Sequence, residues 1–550
     1  MNVAALANGA WLVSSFAAWR RLKSAFDHPQ RAQHEVLHRL VSTNRHTAFG
    51  RAHGFERISC WEDFCQHVPL LKPDGLEPWI DRIRQGESCV LTREKITRLV
   101  PTSGSTEGRK WIPFTAAFQQ ELNAAVGPWM VDLAQQFPRI VGGPAYWSIS
   151  PAVDVSTAVH SAVPLGFDDD TAYLGGWRQR WVDAAMAVPS AVRFAPSVEE
   201  FRYLTLLFLL RQRELRLVSV WHPSFLTLLL DALPRVWDEL LADVAEGGCQ
   251  RLSALPPALE RVLRGRPDPK RSAELKSLGP ASARALWPKW DLVSCWADAQ
   301  AAIPARDLER RLPGIAIQGK GLIATEAVVT IPFAGKHPLA IRSHFYEFVD
   351  IAGTVRRAHQ LNRGERYRVV VTTGSGLWRY VLGDVVEVDG FVGATPSLRF
   401  IGRGDRVSDL CGEKLEESFV THAVQAACAA CGAVPSFTLL APEQGREGCS
   451  WHYTFFVQDG AQERLASLLE QQLCANPHYA WCRQLGQLGA VEVCLLPAGA
   501  YTRFCVEVAE EGSGRHLGDV KPQILSGRTD WRKVLLNAKE SQTPDPSLRM

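Results

Sequence analysis

The chain has 550 residues, of which 46% are hydrophobic and 22% are charged, and its 61 Lys and Arg against 58 Asp and Glu leave a formal net charge of +3. This composition is close to the globular average and excludes a largely disordered, fibrous or coiled-coil protein. The length predicts two to four domain-sized units. Because the charges nearly balance, the sequence gives no signal for binding a polyanion, and we expect no nucleic-acid partner.

The N-terminal segment, residues 1–19, carries no charged side chain. It is only weakly apolar, since Asn, Gly and Ser interrupt it, and its basic residues follow the apolar stretch, whereas a secretory signal places them before it. A membrane-spanning helix needs about 20 strongly apolar residues. We therefore expect a helix packed within a soluble protein, with a membrane-surface anchor as the alternative and no transmembrane segment.

The 13 cysteines are odd in number and spread over the whole chain. A disulfide framework is usually dense and even in number, so we expect reduced thiols and a cytoplasmic protein. Cys428 and Cys431 form a C-x-x-C pair inside an Ala-rich, helix-like run without a second pair at zinc-site spacing. A structural role is favoured for them over a metal or redox site.

In chain order, helical patterns fill residues 1–95 and 116–137, and short apolar runs at 146–149, 217–221, 292–296 and 315–318 predict buried strands between further helices. Residues 322–402 are predicted to be mostly strand, with Asp389-Gly390 as a hairpin turn. Alternating helices and apolar strands are typical of a sheet-centred α/β domain. The fold class expected is α/β: a large N-terminal domain of sheets flanked by helices, followed by a small mobile α+β domain.

A domain boundary is expected near 402–412, where a polar stretch begins, and we place the domains at 1–408 and 409–550. The second domain is predicted to contain a helix at 415–430, strands at 436–441 and 451–457, a helix at 461–474, a further helix, and strands near 491–496 and 503–508.

The segment with the clearest chemical content is Thr-Ser-Gly-Ser-Thr-Glu-Gly-Arg-Lys at 102–110. Its two glycines allow tight curvature, so several backbone N–H groups can point at one anion. The hydroxyls add donors and the lysine adds a positive charge. An apolar run precedes the loop and a helix follows it, which is typical of a phosphate-binding loop and not of a flexible linker. The candidate phosphate-binding residues are Ser103, Gly104, Ser105, Thr106 and Lys110.

A second stretch, residues 314–321, nearly matches the G-x-x-x-x-G-K-[ST] phosphate loop. Gly321 stands where that motif needs a hydroxyl for Mg²⁺, and the inner positions are apolar, as in a strand. We therefore interpret Gly319-Lys320-Gly321 as the end of a strand and not as a phosphate loop.

Three further segments carry groups suited to a metal–nucleotide complex. Thr325-Glu326 pairs a hydroxyl with a carboxylate between predicted strands, and a carboxylate there can hold Mg²⁺ on a triphosphate. Asp384 follows a glycine between strands, where a carboxylate can accept both ribose hydroxyls. Arg403 and Lys414 lie in the polar stretch at the expected domain boundary.

Together and in this order, these segments resemble the adenylate-forming superfamily of acyl-activating enzymes. The resemblance is strongest to its Gretchen Hagen 3 branch, the auxin-responsive acyl acid–amido synthetases. Residues 102–115 resemble the phosphate loop of that branch, 324–326 its second motif, and 370–373 with 377–384 its third. Residues 345–348 and the N-terminal sequence around residues 44–70 are also similar, so the resemblance extends over nearly the whole chain.

The resemblance implies a role for each matching residue. Ser103, Gly104, Ser105 and Thr106 would cradle ATP phosphates with Lys110, Thr325 would bind the α-phosphate and Glu326 would hold Mg²⁺. Asp384 would bind the ribose with Arg403 nearby, and Lys414 would meet the α-phosphate or ribose. Asp409 falls at the superfamily's hinge position, and Lys521 matches the C-terminal lysine that reaches the α-phosphate. The implied catalytic residues are Lys521, Lys414 and Thr325, and the implied cofactors are ATP and Mg²⁺.

Two departures from the family pattern stand out. Glu107 places a carboxylate where a glycine is common, and Leu322 stands in the segment where an aromatic residue often stacks on adenine. The acyl-acid pocket is expected among residues from about 120 to 350, where Trp129, Trp147 and Trp177 are each read as core residues first and pocket residues second.

The implied reaction is ATP-dependent acyl-adenylate formation from a carboxylic acid, followed by transfer of the acyl group to an amine, expected to be an amino acid, with release of AMP and pyrophosphate. The implied partners are these small molecules, and the chain is expected to be a monomer, with a homodimer left open. The alternatives are an acyl-CoA or other thiol ligase of the same superfamily, and a non-catalytic nucleotide-binding protein with this fold.

Overall fold

The computed structural model describes residues 3–101, 110–148, 161–166, 176–251, 257–263, 265, 267–404, 406–411, 413–444, 451–460, 462–485, 487–511, 520 and 523–536. Its internal contacts divide the chain into two units, Met1–Ile401 and Gly402–Met550. No helix among these residues is both long and apolar enough to cross a membrane.

The described helices of the first unit are α1 (Val3–Ala25), α2 (Pro29–Asn44), α3 (Ala48–Ala52), α4 (Trp61–His67), α5 (Pro73–Arg84), α6 (Ala116–Gln136), α7 (Gly176–Ala185), α8 (Val198–Arg211), α9 (Pro223–Ala232), α10 (Trp237–Glu246), α11 (Pro257–Leu263), α12 (Pro269–Leu278), α13 (Ala283–Leu286) and α14 (Ala302–Arg311). Its described strands are β1 (Arg98–Pro101), β2 (Trp111–Phe114), β3 (Ala145–Trp147), β4 (Leu217–Ser219), β5 (Leu292–Cys295), β6 (Ala316–Gly319), β7 (Phe345–Val349), β8 (Val355–Arg357), β9 (Arg366–Thr372), β10 (Tyr380–Val392) and β11 (Thr395–Arg403).

A four-stranded parallel sheet has the order β3-β4-β5-β6. Its strands are the four short apolar runs predicted from the sequence. Parallel strands are covered on both faces and therefore read as continuous apolar runs, which is why the prediction succeeded here. Helices α8–α10 and α12 contribute leucines to the core around this sheet.

A five-stranded antiparallel sheet has the order β11-β10-β9-β7-β8. The predicted hairpin turn at Asp389-Gly390 is wrong, because β10 continues through these residues and the chain turns at Gly393. Gly393 has a φ of +57°, and a Cβ atom there would lie 2.4 Å from Asp27 Oδ1. Ala394 N donates to Phe26 O over 2.8 Å, so a contact with the end of α1 fixes the turn, which local sequence does not reveal.

The uncharged N-terminal segment forms most of α1, which packs against α6 and α7. Ala4, Ala7 and Trp11 are buried on that face, and Asn8 Nδ2 donates to Val141 O and Gly143 O over 3.1 and 3.0 Å. The segment is therefore a packed helix of the first unit, as expected from its weak apolar character.

The second unit contains β12 (Val407–Ser408), β13 (Leu415–Glu416), α15 (Glu417–Cys431), β14 (Phe437–Gln444), β15 (Trp451–Gln458), α16 (Leu465–Leu473), α17 (Pro477–Gln484), β16 (Glu492–Leu496), α18 (Ala500–Glu511) and α19 (Trp531–Leu536). Strands β14, β15 and β16 form one mixed sheet. Side chains alternate across β15, so that Tyr453, Phe455 and Val457 face the core with α15–α17, while Phe456 joins the core with α18 and α19.

The strand predicted near 503–508 is wrong, because these residues belong to α18. Tyr501, Phe504, Cys505 and Val508 recur at helical spacing, and they pack together on the sheet face that also carries Phe456. The C-x-x-C pair lies on α15, where Cys431 Sγ donates to Ala427 O over 3.2 Å and Cys428 is buried. The cysteines that the structure describes are all free.

Candidate functional site

The predicted phosphate-loop residues Ser103, Gly104, Ser105 and Thr106, together with Glu107, lie outside the described residues, as does Lys521. The flanks of the loop are described. Strands β1 and β2 pair antiparallel with Pro101 opposite Trp111, so the loop segment joins two adjacent strand ends, and half-buried Lys110 directly precedes β2. Helix α6 begins immediately after β2.

Thr115 caps the N-terminus of α6. Its Oγ1 accepts from Phe118 N over 3.1 Å and donates to Gly374 O over 3.2 Å. An N-cap hydroxyl satisfies one of the free N–H groups of the first turn. This contact connects the helix that follows the loop with the segment that follows β9.

Thr325 and Glu326 occupy the tip of a tight hairpin. Ala324 N donates to Ala327 O over 2.9 Å, and Ile323 forms an antiparallel bridge with Val328. Both side chains at the tip are half-buried. A hydroxyl and a carboxylate therefore lie side by side on a tight two-residue turn, which is a suitable arrangement for an oxygen-ligand site.

His344 forms a hydrogen bond with the base of this hairpin. Val328 N donates to His344 Nε2 over 3.3 Å, and His344 Nδ1 lies 2.9 Å from Glu121 Oε2 on α6. A backbone N–H can only donate, so Nε2 must accept, and the ring proton is on Nδ1 and is donated to Glu121. His344 is fully buried and Glu121 is 4% exposed.

Glu121 joins two further segments to the same point. Gly374 N donates to its Oε2 over 2.8 Å, and Arg39 Nη2 on α2 donates to its Oε1 over 3.1 Å. Because buried carboxylates need hydrogen-bond donors on both oxygens, this network holds α6, the Thr325-Glu326 hairpin and the Gly374 turn in a fixed arrangement. Sequence analysis did not identify Glu121 or His344, which are separated by 223 residues.

Asp384 lies where the pairing of β10 with β9 is interrupted. Val381 pairs with Val370 and Val385 with Arg368, so β10 advances four residues while β9 advances two. Gly383 has a φ of +82°, a left-handed conformation that glycine adopts without a steric penalty. Asp384 is 6% exposed and lies within this irregularity, between the two regular parts of the ladder.

The Leu377–Tyr380 motif contains Arg379, which forms a buried ion pair with Glu347 on β7. Arg379 Nε and Nη2 donate to Glu347 Oε2 and Oε1 over 2.9 and 3.0 Å, and both residues are buried. Trp61 Nε1 donates to Glu347 over 2.8 Å, and Arg379 Nη1 donates to Val68 O over 2.7 Å. This ion pair joins the third motif to β7 and to the N-terminal helices.

The near-match to a phosphate loop at 314–321 forms β6, as the sequence analysis predicted. The lysine that follows it is buried at the carboxyl end of the parallel sheet. Lys320 Nζ donates to Ser219 Oγ over 2.7 Å and lies 4.7 Å from the ring centre of Trp221. Burial lowers the pKa of Lys320 to about 7. Sequence analysis did not predict that Lys320 is buried or that its pKa is lowered.

Arg403 ends β11 and is half-buried, while Asp409 and Lys414 of the second unit are exposed. Lys414 has a φ of +46°, and its carbonyl accepts from Asn476 Nδ2 over 3.3 Å. The neighbouring Glu413 is fully buried and accepts from Leu410 N and Cys411 N, both over 2.8 Å. The turn that presents Asp409 and Lys414 is thus closed on an internal carboxylate.

Family models match most of the chain. Residues 18–317 match the GH3 family N-terminal domain, 337–403 its central domain and 418–529 its C-terminal domain. The chain belongs to the GH3 family. Membership confirms the expected class, an adenylate-forming ligase.

Curated relatives of this GH3 chain match along most of its length. A probable indole-3-acetic acid-amido synthetase of Oryza sativa subsp. japonica is 26% identical and the alignment covers 88% of this chain and 89% of the relative. A jasmonoyl–L-amino acid synthetase of Nicotiana attenuata is 23% identical, with 86% and 87% covered. The solved structure of AtGH3.15 acyl acid amido synthetase in complex with 2,4-DB has a TM-score of 0.83 at 18% identity and covers 95% of this chain and 96% of that one. This likeness confirms the expected α/β fold.

Proposed function

We propose that the protein is an ATP- and Mg²⁺-dependent acyl acid–amido synthetase, which activates a carboxylic acid as its acyl-adenylate and transfers the acyl group to an amine, an amino acid being the expected acceptor. The observation that carries the proposal is the hydroxyl–carboxylate pair Thr325-Glu326 on a tight hairpin tip in a chain of the GH3 family. The relatives named as amido synthetases favour an amine acceptor over a thiol.

In the first half-reaction, an oxygen of the substrate carboxylate bonds to the α-phosphorus of ATP, and the bond from that phosphorus to pyrophosphate breaks. Thr325 would bind the α-phosphate, and the loop residues Ser103–Thr106 with Lys110 would bind the remaining phosphates. Glu326 would hold Mg²⁺, which offsets negative charge on the phosphates. Asp384 would accept the ribose hydroxyls.

In the second half-reaction, the amine nitrogen bonds to the acyl carbon, the bond from that carbon to the AMP oxygen breaks, and the amine proton is lost to solvent. Asp409 would be the hinge about which the C-terminal domain turns between the two half-reactions. Arg403 would lie near the ribose, and Lys414 would meet the α-phosphate or the ribose. Lys521 would contact the α-phosphate only during adenylation. The proposed domains for these movements are 1–408 and 409–550.

The residues present at the hairpin fit Mg²⁺. Hard cations take oxygen ligands, and Mg²⁺ on a nucleotide usually takes one or two carboxylates plus phosphate oxygens. The half-buried Glu326 beside Thr325 offers such a ligand without needing a preformed cage.

The test is acid-dependent exchange of labelled pyrophosphate into ATP, with a panel of aromatic and fatty acids. Glu326→Gln should lose most of the exchange rate while its melting temperature stays unchanged, because the residue is proposed to hold a metal and not to pack. Glu309→Gln, at an exposed position of α14, is the control and should keep the wild-type rate.

Product analysis with amino acids and with coenzyme A then separates the acceptors. An amide product supports the proposal, and a thioester product alone would show a thiol ligase. Formation of ADP and phosphate in place of AMP and pyrophosphate, or no exchange with any acid, would contradict it, and the latter would favour a non-catalytic nucleotide-binding protein.

A further inference from the structure

The carboxyl edge of the parallel sheet carries a cation that the mechanism above does not use. Ser219 ends β4, Cys295 ends β5, and Lys320 directly follows β6. In open α/β sheets, ligands bind outside the carboxyl ends of the strands. Lys320 therefore stands at the edge where a small-molecule site is expected.

The surroundings of Lys320 are aromatic. Its Nζ lies 4.7 Å from the ring centre of Trp221, which follows β4, and 5.9 Å from that of Trp129 on α6. Ser219 Oγ, at 2.7 Å, is a neutral acceptor. The side chain is 5% exposed, so water contributes little to its solvation.

Lys320 differs from the other buried cations of the described chain in its lack of an ion-pair partner. Arg271 and Arg379 are each 4% exposed, and each binds a carboxylate, Glu274 at 2.8 Å and Glu347 at 2.9 Å. Among the described residues, no carboxylate forms an ion pair with Lys320. A buried ammonium without an anion is costly, and the faces of two indole rings offset only part of that cost.

The backbone around Lys320 is fixed on both sides. Lys320 N donates to Cys295 O over 2.9 Å, and Leu322 N donates to Thr330 Oγ1 over 2.8 Å. Between them, Gly321 has a φ of +75°, and a Cβ atom there would lie 2.6 Å from Thr330 Oγ1. Hydrogen bonds thus fix the backbone on both sides of the lysine, which is a feature of a preorganised binding group.

We propose that Lys320, with Ser219 and the faces of Trp221 and Trp129, binds the carboxylate of an aromatic carboxylic acid, the acyl substrate class of this protein. A carboxylate supplies the missing counter-charge, and its ring lies against flat apolar surfaces. An inorganic phosphate would supply charge but has no ring to lie against the indole rings. That this acid is the acyl substrate rests on the function proposed above, whereas the binding itself does not need ATP.

The test is isothermal titration calorimetry of the full chain, without ATP, with benzoate, the neutral isostere benzamide, and inorganic phosphate. The wild-type protein should bind benzoate more tightly than benzamide, and phosphate at least 10-fold more weakly than benzoate. Lys320→Met should weaken benzoate binding at least 10-fold and leave benzamide binding within twofold. Lys276→Met, at an exposed position of α12, is the matched control and should bind benzoate as the wild type does.

Trp221→Leu provides an independent variant, because it removes aromatic surface and keeps the charge. It should weaken benzoate and benzamide binding by a similar factor. Thermal unfolding checks that both variants fold, and Lys320→Met should do so, since it removes a buried charge. Three results would overturn the proposal: no benzoate binding by the wild type, the same benzoate affinity in Lys320→Met, or equal affinity for phosphate and benzoate.

The two proposals fail separately. If Lys320→Met loses benzoate binding but no acid supports pyrophosphate exchange, the function proposed above fails and the carboxylate site stands. If aromatic acids support exchange and Lys320→Met retains the wild-type KM for the acid, the assignment of Lys320 fails and the function stands.

Discussion

His344 donates its Nδ1 proton to Glu121 over 2.9 Å, and the same ring accepts the backbone N–H of Val328 at the base of the Thr325-Glu326 hairpin. One buried imidazole thus connects α6 to the turn that carries both proposed nucleotide-binding side chains. Its two nitrogens have different tasks, and only one tautomer performs both.

Replacing His344 with Phe keeps an aromatic ring against Phe118, whose centre is 5.5 Å from the imidazole, but removes both nitrogens. Glu121 loses a donor and the N–H of Val328 loses its acceptor, so urea unfolding should show a loss of about 1–3 kcal/mol per unsatisfied group. Pyrophosphate exchange should slow, with a raised KM for ATP, at temperatures where the variant is folded. His34→Phe, at an exposed position of α2, should change neither quantity. A variant with lower stability and unchanged exchange kinetics would show that the imidazole does not position the hairpin.

The buried pair Arg379–Glu347 should contribute more to the free energy of unfolding than an exposed ion pair does. Arg379→Ala leaves Glu347 buried without its cation, and breaking a buried ion pair in this way costs about 3–5 kcal/mol. The exposed pair Arg31–Glu35 has side chains that are 82% and 46% exposed, and Arg31→Ala should cost less than about 1 kcal/mol. Urea unfolding of the two variants measures the contrast, and equal losses would contradict the structural role given to the third motif.

Lys320 predicts a pH dependence of stability. Its folded pKa of about 7 lies below the ordinary value of 10.5, so between these two values the unfolded chain binds more protons than the folded chain. Stability should therefore rise with pH across this window, by at most about 1.4 kcal/mol per pH unit from this group. Cys295 on β5 is the titratable neighbour, and burial raises the pKa of its thiol from 9.0 to about 12. This group therefore lowers stability as the pH rises above 9, and it does so equally in the wild type and in Lys320→Met.

The measurement compares urea unfolding of the wild type and Lys320→Met at pH 7 and pH 9. The free energy of unfolding of the wild type should gain on that of the variant as the pH rises, because the methionine side chain has no proton to lose. A difference between the two proteins that stays constant with pH would show that Lys320 titrates normally in the folded chain.

Lys521 should act in only one half of the reaction. It lies about 110 residues beyond the proposed hinge at Asp409, and the family resemblance implies that it contacts the α-phosphate only in the adenylating orientation. Lys521→Ala should slow pyrophosphate exchange roughly 10²–10³-fold, the typical effect of losing one charge-stabilising donor. Amide formation from a supplied acyl-adenylate should remain at the wild-type rate. Equal losses in both steps would indicate general destabilisation, and no loss in either would indicate an exposed surface lysine.

Local patterns were sufficient to predict the strands of the parallel sheet and the hydroxyl–carboxylate motif at Thr325-Glu326, because their signals lie in consecutive residues. Contacts between distant segments could not be read in this way. The partnership of Glu121 with His344 spans 223 residues, and an isolated Glu on a helix usually indicates only a solvated face. The misplaced turn at Asp389-Gly390 and the helix at Ala500–Glu511 have the same origin, since contacts with α1 and with the C-terminal sheet decided them.

Lys320 combines a local pattern that the sequence shows with distant contacts that it does not. Its motif attracted notice as a near-match to a phosphate loop, and the apolar residues before it correctly indicated a strand. The sequence could not show that the side chain contacts Ser219 and Trp221, which lie 101 and 99 positions earlier in the chain. Burial, and with it the shifted proton equilibrium, is a property of that packing.

The extra residues in β10 have a consequence for how this family tolerates insertions and deletions. Because β10 contains two residues more than β9 between successive pairs, and side chains alternate with a period of two, the same faces point inward before and after the interruption. Loss of a single residue among 382–384 would invert every side chain along one arm of the strand. Loss of two residues would restore an uninterrupted ladder and keep the fold. Asp384 would then either be deleted or become a regularly paired residue of the strand. Natural length variation at this point should therefore come in steps of two, and each shortened form should retain its sheet and lose the carboxylate that is proposed to bind the ribose.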